Sequence, residues 1–501
     1  MLEAQVHSEL RTFLRTSSSS DWTHHLTMAR MVARGLRLGR STIIQTGVNY
    51  QTHCLSYLTS ALLSPHDVII VVNQKIQEQL LNNYIPFLQE SLEIDKHIST
   101  SLDENNLSGT HLILISPQDW LENIINNNSL KTIPTIVEEA QQLPQFITDY
   151  LTIEISNHEL LNLPIDNQKQ KKNFQKNLVK LTKSIFSHPS NPYDSYLLDS
   201  QEQKIILDLV DNISQNNPNA PEKLSQFQQK LIRNEDNINY VVVKRKQGTF
   251  LLKSIPLELK TRVTHLWHKN NPLILIAKYL APEREVTDYA NLLGIPTKDY
   301  TCLKFSPHAP NEVLKLYFPE KCPFPNEPQF QSSITREIVA LISSTKINHE
   351  PIIIIIEDVP LQAQITASLA SQFGSRVKLN ECSLTDNTIL VCDIKFWSKN
   401  QDNFPPPQLL IMATLPIPSL ENPLIASQVN YYKKQKKDWF RLYLLPQAIK
   451  SLQQLTVSLR KNQGVLALLD NRVNYRSYGN KVLQALEPYA KIGYLDLTWL
   501  D

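Results

Sequence analysis

The sequence is poor in glycine and in long apolar runs. Only 10 of its 501 residues are glycine, well below the usual share of about 7%. Because loops that wrap phosphate groups with backbone amides need glycine, this shortage weighs against ordinary phosphate-binding loops. The longest apolar run, at 351–356, is far shorter than the roughly 20 residues of a membrane span, so no membrane segment is expected.

Cysteine is also scarce, and the five cysteines form no CxxC pair. An odd number of scattered cysteines is typical of reduced, unpaired thiols, so neither a zinc site nor a disulfide framework is expected. The N-terminal segment mixes acidic residues with arginines and has neither the apolar core nor the cleavage site of a secretory signal. These features predict a cytoplasmic location.

The chain has no large excess of either charge, since 50 basic and 48 acidic residues leave a net charge of +2. A polyanionic partner would therefore have to bind local basic patches rather than the protein as a whole. The length exceeds what one hydrophobic core usually serves, and it predicts two domains of about 150 to 250 residues each.

Short β-branched runs alternate with amphipathic stretches in the first part of the chain. The predicted strands lie at 42–44, 68–72, 111–115, 132–137 and 272–276. Strand alternating with helix implies a parallel sheet covered on both faces. Residues 141–246 are instead rich in Asn, Gln, Lys and Leu at helical spacing, which predicts a helical insertion. Segments 240–243 and 249–252 predict a hairpin, after which the first sheet resumes.

A proline-rich stretch at 296–331 predicts a connection between two domains. After it the alternation restarts with a helix at 334–344 and strands at 352–356, 388–392, 409–413 and 464–469. The predicted organisation is therefore a first lobe at 1–140 and 247–295, the insertion at 141–246, the connection, and a second α/β lobe at 332–501.

Several segments resemble the DinG/XPD branch of superfamily-two DNA helicases. In the first lobe they are MARMVARGLRLGRSTIIQTG, LSYL, VIIVVNQKIQEQLL and TIPTIVEEAQQL. Later they are PLEL, ILVCDIKFWSKNQD, LLIMATLPIPSLENPL, WFRLYLLPQAIKSLQQ and GVLALLDNRVNYRSYGNKVLQAL. The matches keep one order over roughly residues 22–490. The resemblance implies an α/β fold of two RecA-like P-loop NTPase lobes, with the insertion in the arch-like position of the first lobe.

The resemblance also places an ATP-binding P-loop after the first strand, where glycine amides wrap the phosphates and a lysine neutralises their charge. The loop here has one glycine, Gly47, and is one residue longer than the family's. Thr52 occupies the lysine position when the loop is aligned from Gly47, and His53 does when it is aligned from the following helix. The Cβ atoms of Asn49 and Tyr50 would obstruct wrapping. The loop is predicted not to bind triphosphate in the usual way, with His53 as a weak cation the alternative.

An acidic pair follows the strand at 132–137. By resemblance, Glu139 stands at the position of the catalytic base, and Glu138 is a longer substitute for the aspartate that binds Mg²⁺. Such pairs also occur as solvated helix caps, and both interpretations stay open. Gln141 replaces the histidine that links hydrolysis to lobe movement in the family.

The helix that carries the family's arginine finger is altered too. Aligned on Gln453, the first arginine position is Val457 and only Arg460 keeps an arginine. Loss of such a finger lowers phosphoryl-transfer rates by about 10³ to 10⁵ in GTPases. The motif that joins the lobes in the family is IAKYLA here, and FWEGVD has become FWSKNQ. Trp397 in that motif is expected to serve core or lobe-interface packing.

The family's iron–sulfur cluster requires four cysteines ahead of the acidic motif. No cysteine lies between Cys54 and Glu138, and the stretch at 96–109 is too short for the cluster insert, so no cluster is expected. No other cofactor is predicted, and ATP and Mg²⁺ would be bound only if the family activity is retained.

Three basic segments are candidates for nucleic-acid binding. The candidate residues are Lys433, Lys434, Lys436, Lys437 and Arg441 in YYKKQKKDWFR; Lys244, Arg245 and Lys246 at the hairpin tip; and Lys169, Lys171, Lys172, Lys176, Lys180 and Lys183 in the insertion. Each has an alternative as a solvated surface, which in the first segment would pack Trp439 and Phe440 inward.

These features leave three functions open. The leading hypothesis is a helicase-like protein with feeble or absent ATP hydrolysis that binds single-stranded or branched DNA, or a partner protein. The rival is an active ATP-dependent DNA helicase with 5′ to 3′ translocation, as the resemblance implies. The third is a scaffold for protein interactions.

Overall fold

The structure is a computed structural model. It describes residues 1–16, 22–47, 51–101, 110–126, 132–163, 165, 168–214, 222–233, 236–267, 272–281, 284–305, 313–345, 350–384, 387–461 and 464–492. Two seven-stranded parallel sheets and one four-stranded antiparallel sheet organise this part of the chain. Each parallel sheet has a hydrophobic core on both faces. The predicted α/β fold with two RecA-like lobes is confirmed.

The strands, in chain order, are β1 (Thr42–Gln45), β2 (Val68–Val71), β3 (His97–Ser99), β4 (His111–Ile115), β5 (Thr135–Val137), β6 (Ile153–Ser156), β7 (Ser195–Leu197), β8 (Asn237–Lys244), β9 (Thr249–Pro256), β10 (Leu273–Ala277), β11 (Thr301–Lys304), β12 (Leu314–Tyr317), β13 (Ile352–Ile355), β14 (Val377–Leu379), β15 (Ile389–Cys392), β16 (Leu409–Met412), β17 (Val465–Leu468) and β18 (Tyr489–Ile492).

The helices are α1 (Leu2–Thr16), α2 (His25–Leu38), α3 (Cys54–Leu63), α4 (Gln74–Gln79), α5 (Ile85–Leu92), α6 (Pro117–Asn126), α7 (Leu143–Leu151), α8 (Asn157–Leu161), α9 (Gln168–Ser187), α10 (Ser200–Ser214), α11 (Glu222–Ile232), α12 (Lys260–Val263), α13 (Thr287–Leu293), α14 (Phe330–Ser344), α15 (Val359–Phe373), α16 (Ile394–Asn400), α17 (Pro423–Lys434), α18 (Leu445–Leu455), α19 (Val457–Lys461), α20 (Arg472–Tyr475) and α21 (Gly479–Ala485). Single π turns lead into α5 and α18.

The first lobe is built on a sheet with the strand order β11, β1, β10, β5, β2, β4, β3. Its central strands are buried on both faces, because successive residues point to opposite sides of the sheet. Ile43 and Ile69 face one core, whereas Ile44 and Ile70 face the other. This explains why the strands read as continuous apolar runs in the sequence.

The insertion differs from the prediction in two respects. Its start lies later than residue 141, because α7 packs Leu143 and Ile147 into the core of the first lobe. It is also not purely helical. The predicted hairpin, now β8 and β9, pairs with β6 and β7 in a separate antiparallel sheet, and Val241 and Leu252 face a core shared with α8 to α11. The first sheet therefore resumes only at β10, and we call β6 to β9 the inserted module.

The connection between the lobes is shorter than the predicted 296–331. Strand β11 still pairs with β1 in the first sheet, and β12 already pairs with β17 and β18 in the second. The second sheet has the order β14, β15, β13, β16, β17, β12, β18. Strand β11, at the edge of the first sheet, and strand β12, between β17 and β18, were both missed because they are short and carry polar residues.

A buried lysine closes one end of helix α3. The ammonium group of Lys96 donates hydrogen bonds of 2.9 Å to the carbonyl oxygens of Ala61, Ser64 and His66. Carbonyl groups at the end of a helix lack partners within the helix, and a cation there also complements the helix dipole. Burial lowers the pKa of Lys96 to about 8, against the attraction of Asp67.

Candidate functional site

The carboxyl ends of four adjacent strands bring the predicted first-lobe residues together. In the order β1, β10, β5, β2, these strands are followed by Gly47, Lys278, the pair Glu138 and Glu139, and Asn73. Strands of a parallel sheet end at one edge, so residues far apart in sequence meet there. Ligands bind at this edge in open α/β sheets, which makes it the candidate site.

His53 makes direct contact with the acidic pair. Its Nε2 atom lies 2.7 Å from Oε1 of Glu138, and the two side chains are only 8% and 6% exposed. A 3-10 turn that runs into α3 presents this imidazole to the strand edge. Thr52, the other candidate for the lysine position, has its hydroxyl 3.4 Å from Nε2 of His25 instead. The register that places His53 opposite the acidic motif is therefore the one that the fold adopts.

Glu139 is held by three side chains from different segments. The amides of Asn73 and Gln142 each donate to its Oε2 over 2.9 Å, and Lys278 Nζ lies 3.7 Å from its Oε1. Its backbone is left-handed, with φ of 53°, which is uncommon for this residue type. Burial raises the pKa of Glu139, while Lys278 acts against that rise. These contacts hold the carboxylate in one place, and both of its oxygens already interact with protein side chains.

The start of the P-loop is tied to the IAKYLA segment. The amide of Gly47 donates to the carbonyl of Lys278 over 3.0 Å. The side-chain oxygen of Gln45 accepts from the amides of Leu280 and Ala281 over 2.8 and 3.0 Å. The Gly47 amide is therefore engaged within the protein. Asn49 and Tyr50, expected to obstruct wrapping, lie outside the described residues.

Polar groups around the pair are buried without hydrogen bonds. The hydroxyl of Tyr57 and Oε2 of Glu138 are both fully enclosed and have no hydrogen-bond partner. Burial and the carboxylate of Glu138 raise the pKa values of Tyr57 and Cys54, and burial lowers that of His25 to about 4. Cys54 and Tyr57 are therefore protonated and His25 is neutral near pH 7.

The second-lobe candidates contact their own lobe. The guanidinium group of Arg460 is 6% exposed and donates to the carbonyls of Leu486 and Pro488. The amide of Gln453 donates to the carbonyl of Ala485 over 3.0 Å. Both side chains thus hold the segment between α21 and β18. The side chain of Val457 lies outside the described part of the molecule.

A second-lobe lysine that sequence reasoning missed lies toward the acidic pair. Burial lowers the pKa of Lys450 on α18, and the carboxylates of Asp149 and Glu139 act against that shift. Both carboxylates belong to the first lobe, so Lys450 interacts electrostatically with the other lobe. Its only sequence signal is its place three residues before Gln453, which does not distinguish it from a surface lysine.

The basic residues in YYKKQKKDWFR lie on the surface. The exposed side chains are Lys433, Lys434, Lys436, Lys437 and Arg441. Trp439 is half-buried beneath Lys433, whose Nζ lies 5.2 Å from the ring centre. The ring of Phe440 packs 4.7 Å from that of Tyr478. Solvated cations beside packed rings are what the solvated-surface alternative describes, and nucleic-acid binding by these cations stays a prediction.

Rings and cations from two further segments continue the same pattern on the second lobe. Arg476 lies over the ring of Phe324 at 5.3 Å, and that ring is 6.1 Å from Tyr475. Tyr475 is 65% exposed. We call these residues, with Lys433, Trp439, Phe440 and Tyr478, the aromatic belt. Sequence reasoning missed its second half, because RVNYRSYG and KCPFPNE carry few basic residues.

The other two basic segments differ from each other. At the hairpin tip, Arg245 donates to the carbonyls of Phe186 and His188, whereas Lys244 and Lys246 are exposed. Arg245 thus fastens the tip to α9. The six lysines proposed for α9, which are Lys169, Lys171, Lys172, Lys176, Lys180 and Lys183, are all exposed.

Trp397 packs in the second lobe, as expected. It is fully buried in the core and stacks 6.0 Å from the ring of Phe404. All five cysteines are free thiols. Across the described ranges, no three His, Cys, Asp or Glu side chains are grouped so that they could hold a metal ion. In the same ranges, no helix has both the length and the apolar character needed to cross a bilayer.

Comparison with known proteins shows a matching domain and a matching fold. Residues 353–489 match the family model described as the helicase C-terminal domain. A solved XPD helicase superposes with a TM-score of 0.57 at 12% identity, covering 94% of this chain and 99% of that one. The chain has the XPD-type helicase fold, with a helicase C-terminal domain. The structure of Xpd4 from S. tokodaii matches this XPD-type chain with a TM-score of 0.58 at 11% identity, covering 94% and 100% of the two chains.

The DinG/XPD resemblance seen in the sequence is thereby confirmed. A further XPD structure, described as apo, gives a TM-score of 0.54 at 13% identity and covers 93% of this chain. No curated protein matches this XPD-type chain by sequence.

Proposed function

We propose that this chain is a nucleic-acid-binding protein of the helicase type in which ATP binding and hydrolysis are weak or lost. The observation that carries the proposal is the buried contact between His53 and Glu138. In an active site of this kind, a lysine ammonium meets the phosphates and the first carboxylate meets Mg²⁺. Here the two side chains meet each other.

Three features around the pair support the loss of nucleotide chemistry. Mg²⁺ prefers carboxylate oxygens, but Oε1 of Glu138 is taken by His53. The backbone amide of Gly47 already donates a hydrogen bond to the backbone carbonyl of Lys278. Arg460 is the arginine that remains in the helix that carries the arginine finger in the family. Its guanidinium group donates hydrogen bonds to backbone carbonyls of its own lobe. A triphosphate would have to break these contacts before it could bind.

Nucleic-acid binding is supported by the aromatic belt. Single strands bind proteins through cationic side chains that track the phosphates and rings that stack on bases, at about 1 to 3 kcal/mol per base. The belt contains two pairs that combine these chemistries, Lys433 over Trp439 and Arg476 over Phe324. We propose single-stranded or branched DNA as the partner.

ATP turnover with and without single-stranded DNA tests the first half of the proposal. The wild-type chain is expected to show no turnover above that of Glu139→Gln. DNA-stimulated turnover that the Glu139→Gln substitution abolishes would overturn the proposal and establish an active helicase. That rival function is favoured by one observation, the approach of Lys278 and Lys450 to Glu139, because these cations could neutralise phosphate charge.

Binding of single-stranded DNA at several salt concentrations tests the second half. The logarithm of affinity should fall linearly with the logarithm of salt concentration. Lys433→Gln in the aromatic belt should reduce the magnitude of the slope by about one phosphate contact. The control Lys204→Gln, at an exposed position of α10, should leave the slope unchanged. A flat salt dependence would contradict nucleic-acid binding and favour a protein-interaction scaffold.

A further inference from the structure

Helix α17 of the second lobe lies on segments that belong to the first half of the chain. It packs against β7 and β8 of the inserted module. The amide of Gln428 on α17 donates over 2.7 Å to the carbonyl of Leu257, in the turn after β9. Gln428 is 9% exposed, so water is largely excluded from this hydrogen bond.

The same contact continues through two tyrosines. Burial raises the pKa values of Tyr431 and Tyr432, and Glu258 in the turn adds to both shifts. The ring of Tyr432 stacks 6.0 Å from Tyr443 at an interplanar angle of 28°. Tyr443 precedes α18 in the second lobe. A continuous set of contacts therefore runs from the second lobe through α17 to the turn after β9.

The lobes also meet at two places away from α17. Tyr279, which follows β10 in the first lobe, packs against the hydrophobic core of the second lobe. Lys450 on α18 faces the carboxylates of Asp149 and Glu139. The second lobe is thus held by the inserted module and by the segment after β10, and Lys450 adds an electrostatic attraction to the acidic edge of the first sheet.

We propose that α17 is a latch that keeps the two lobes in one fixed arrangement, with or without nucleotide. Lobe separation would exchange the enclosed hydrogen bond from Gln428 for hydrogen bonds to water and would expose the rings of Tyr431 and Tyr432. Exposure of buried apolar surface to water is unfavourable. The latch goes beyond the proposed function, since it concerns movement of the lobes and not whether ATP binds.

Spin-label distance measurements test the latch directly. One label is placed on Cys382, which is exposed in the second lobe, and the other on a Glu90→Cys substitution at an exposed position of α5. All samples carry Cys302→Ser, because that thiol is half-buried. The wild-type chain should give one narrow distance distribution that Mg²⁺ and ATP do not change.

Two variants weaken separate parts of the contact. Gln428→Glu replaces the amide donor with a carboxylate next to the Leu257 carbonyl and Glu258, and should raise the population of longer distances roughly tenfold. Gln364→Glu makes the same charge change at an exposed position of α15 and should behave like wild type. Tyr431→Phe removes the α17 hydroxyl that interacts with Glu258 and should also raise the population of longer distances, to a smaller extent. It carries the test if Gln428→Glu does not fold.

The outcomes separate the latch from the proposed function. A wild-type distribution that is broad without nucleotide, or that shifts when Mg²⁺ and ATP are added, would overturn the latch. The latch would also be overturned if the Gln428→Glu variant folds and gives the same distance distribution as Gln364→Glu. Calorimetry on the same samples is independent: ATP binding with an unmoved narrow distribution supports the latch and contradicts the proposed function.

Discussion

Removal of the Glu138 carboxylate should strongly destabilise the first lobe. His53 and Glu138 are 2.7 Å apart and almost fully enclosed. Breaking a buried pair by removing one partner costs about 3 to 5 kcal/mol, because the other partner is left without compensation. Glu138→Gln keeps the shape of the side chain and one oxygen that can accept a hydrogen bond from His53. We therefore expect a loss of unfolding free energy at the lower end of this range, about 3 kcal/mol. With a shift of about 2 to 4 °C per kcal/mol, the melting temperature should fall by roughly 6 to 12 °C.

Thermal and urea unfolding of Glu138→Gln, His53→Gln and the double variant measure this interaction as a double-mutant cycle. The coupling energy should exceed about 1.5 kcal/mol, within the range for side chains in direct contact. Glu90→Gln changes an exposed carboxylate of the same lobe and should have almost no effect. A coupling energy below about 0.5 kcal/mol would refute the reasoning, since it would mean that the two side chains do not stabilise each other.

Two further predictions concern the frame around the site. Lys96→Met should lower the free energy of unfolding by about 3 kcal/mol at pH 7, because three carbonyls lose their donor. Burial lowers the pKa of Lys96 in the folded chain to about 8, below its value in the unfolded chain, so between pH 8 and 10 the unfolded chain binds more protons. The free energy of unfolding of the wild type should therefore rise relative to that of Lys96→Met over this pH range. A difference in unfolding free energy that stays constant with pH would contradict this. Gly479→Ala should destabilise the second lobe by more than about 2 kcal/mol in urea unfolding, because its Cβ would lie 1.9 Å from the Val473 carbonyl oxygen. Gly39→Ala, where nothing lies within 4 Å of the added Cβ, should cost only about 1 kcal/mol, and equal losses would count against the steric argument.

The sequence predicts the central strands well, and the physical reason is their burial. The run at 111–115 coincides with β4, because a strand enclosed on both faces must be apolar at every position. The short edge strands β3 and β11 contain polar residues and were missed. The hairpin of β8 and β9 was recognised, but strand periodicity does not say which sheet a strand joins. The first lobe was expected to resume at 247, but β9 pairs with β6 and β8 in the inserted module.

The candidate site could be foreseen only in part. The acidic pair was expected at the end of a parallel strand, and β5 places it there. Whether Thr52 or His53 would face it depended on how the longer loop is accommodated, which local sequence does not determine. Asn73, Lys278 and Lys450 approach Glu139 from three separate segments. Such partners become evident only when the sheet order and the lobe contacts are known.

Calorimetric titration of the wild-type chain with ATP in the presence of Mg²⁺ tests the central claim most directly. We expect no saturable heat at millimolar nucleotide, because His53 already occupies Oε1 of Glu138. Saturable, Mg²⁺-dependent binding that Glu138→Gln weakens at least tenfold would contradict it, since the carboxylate would then be coordinating the metal ion of a functional nucleotide site.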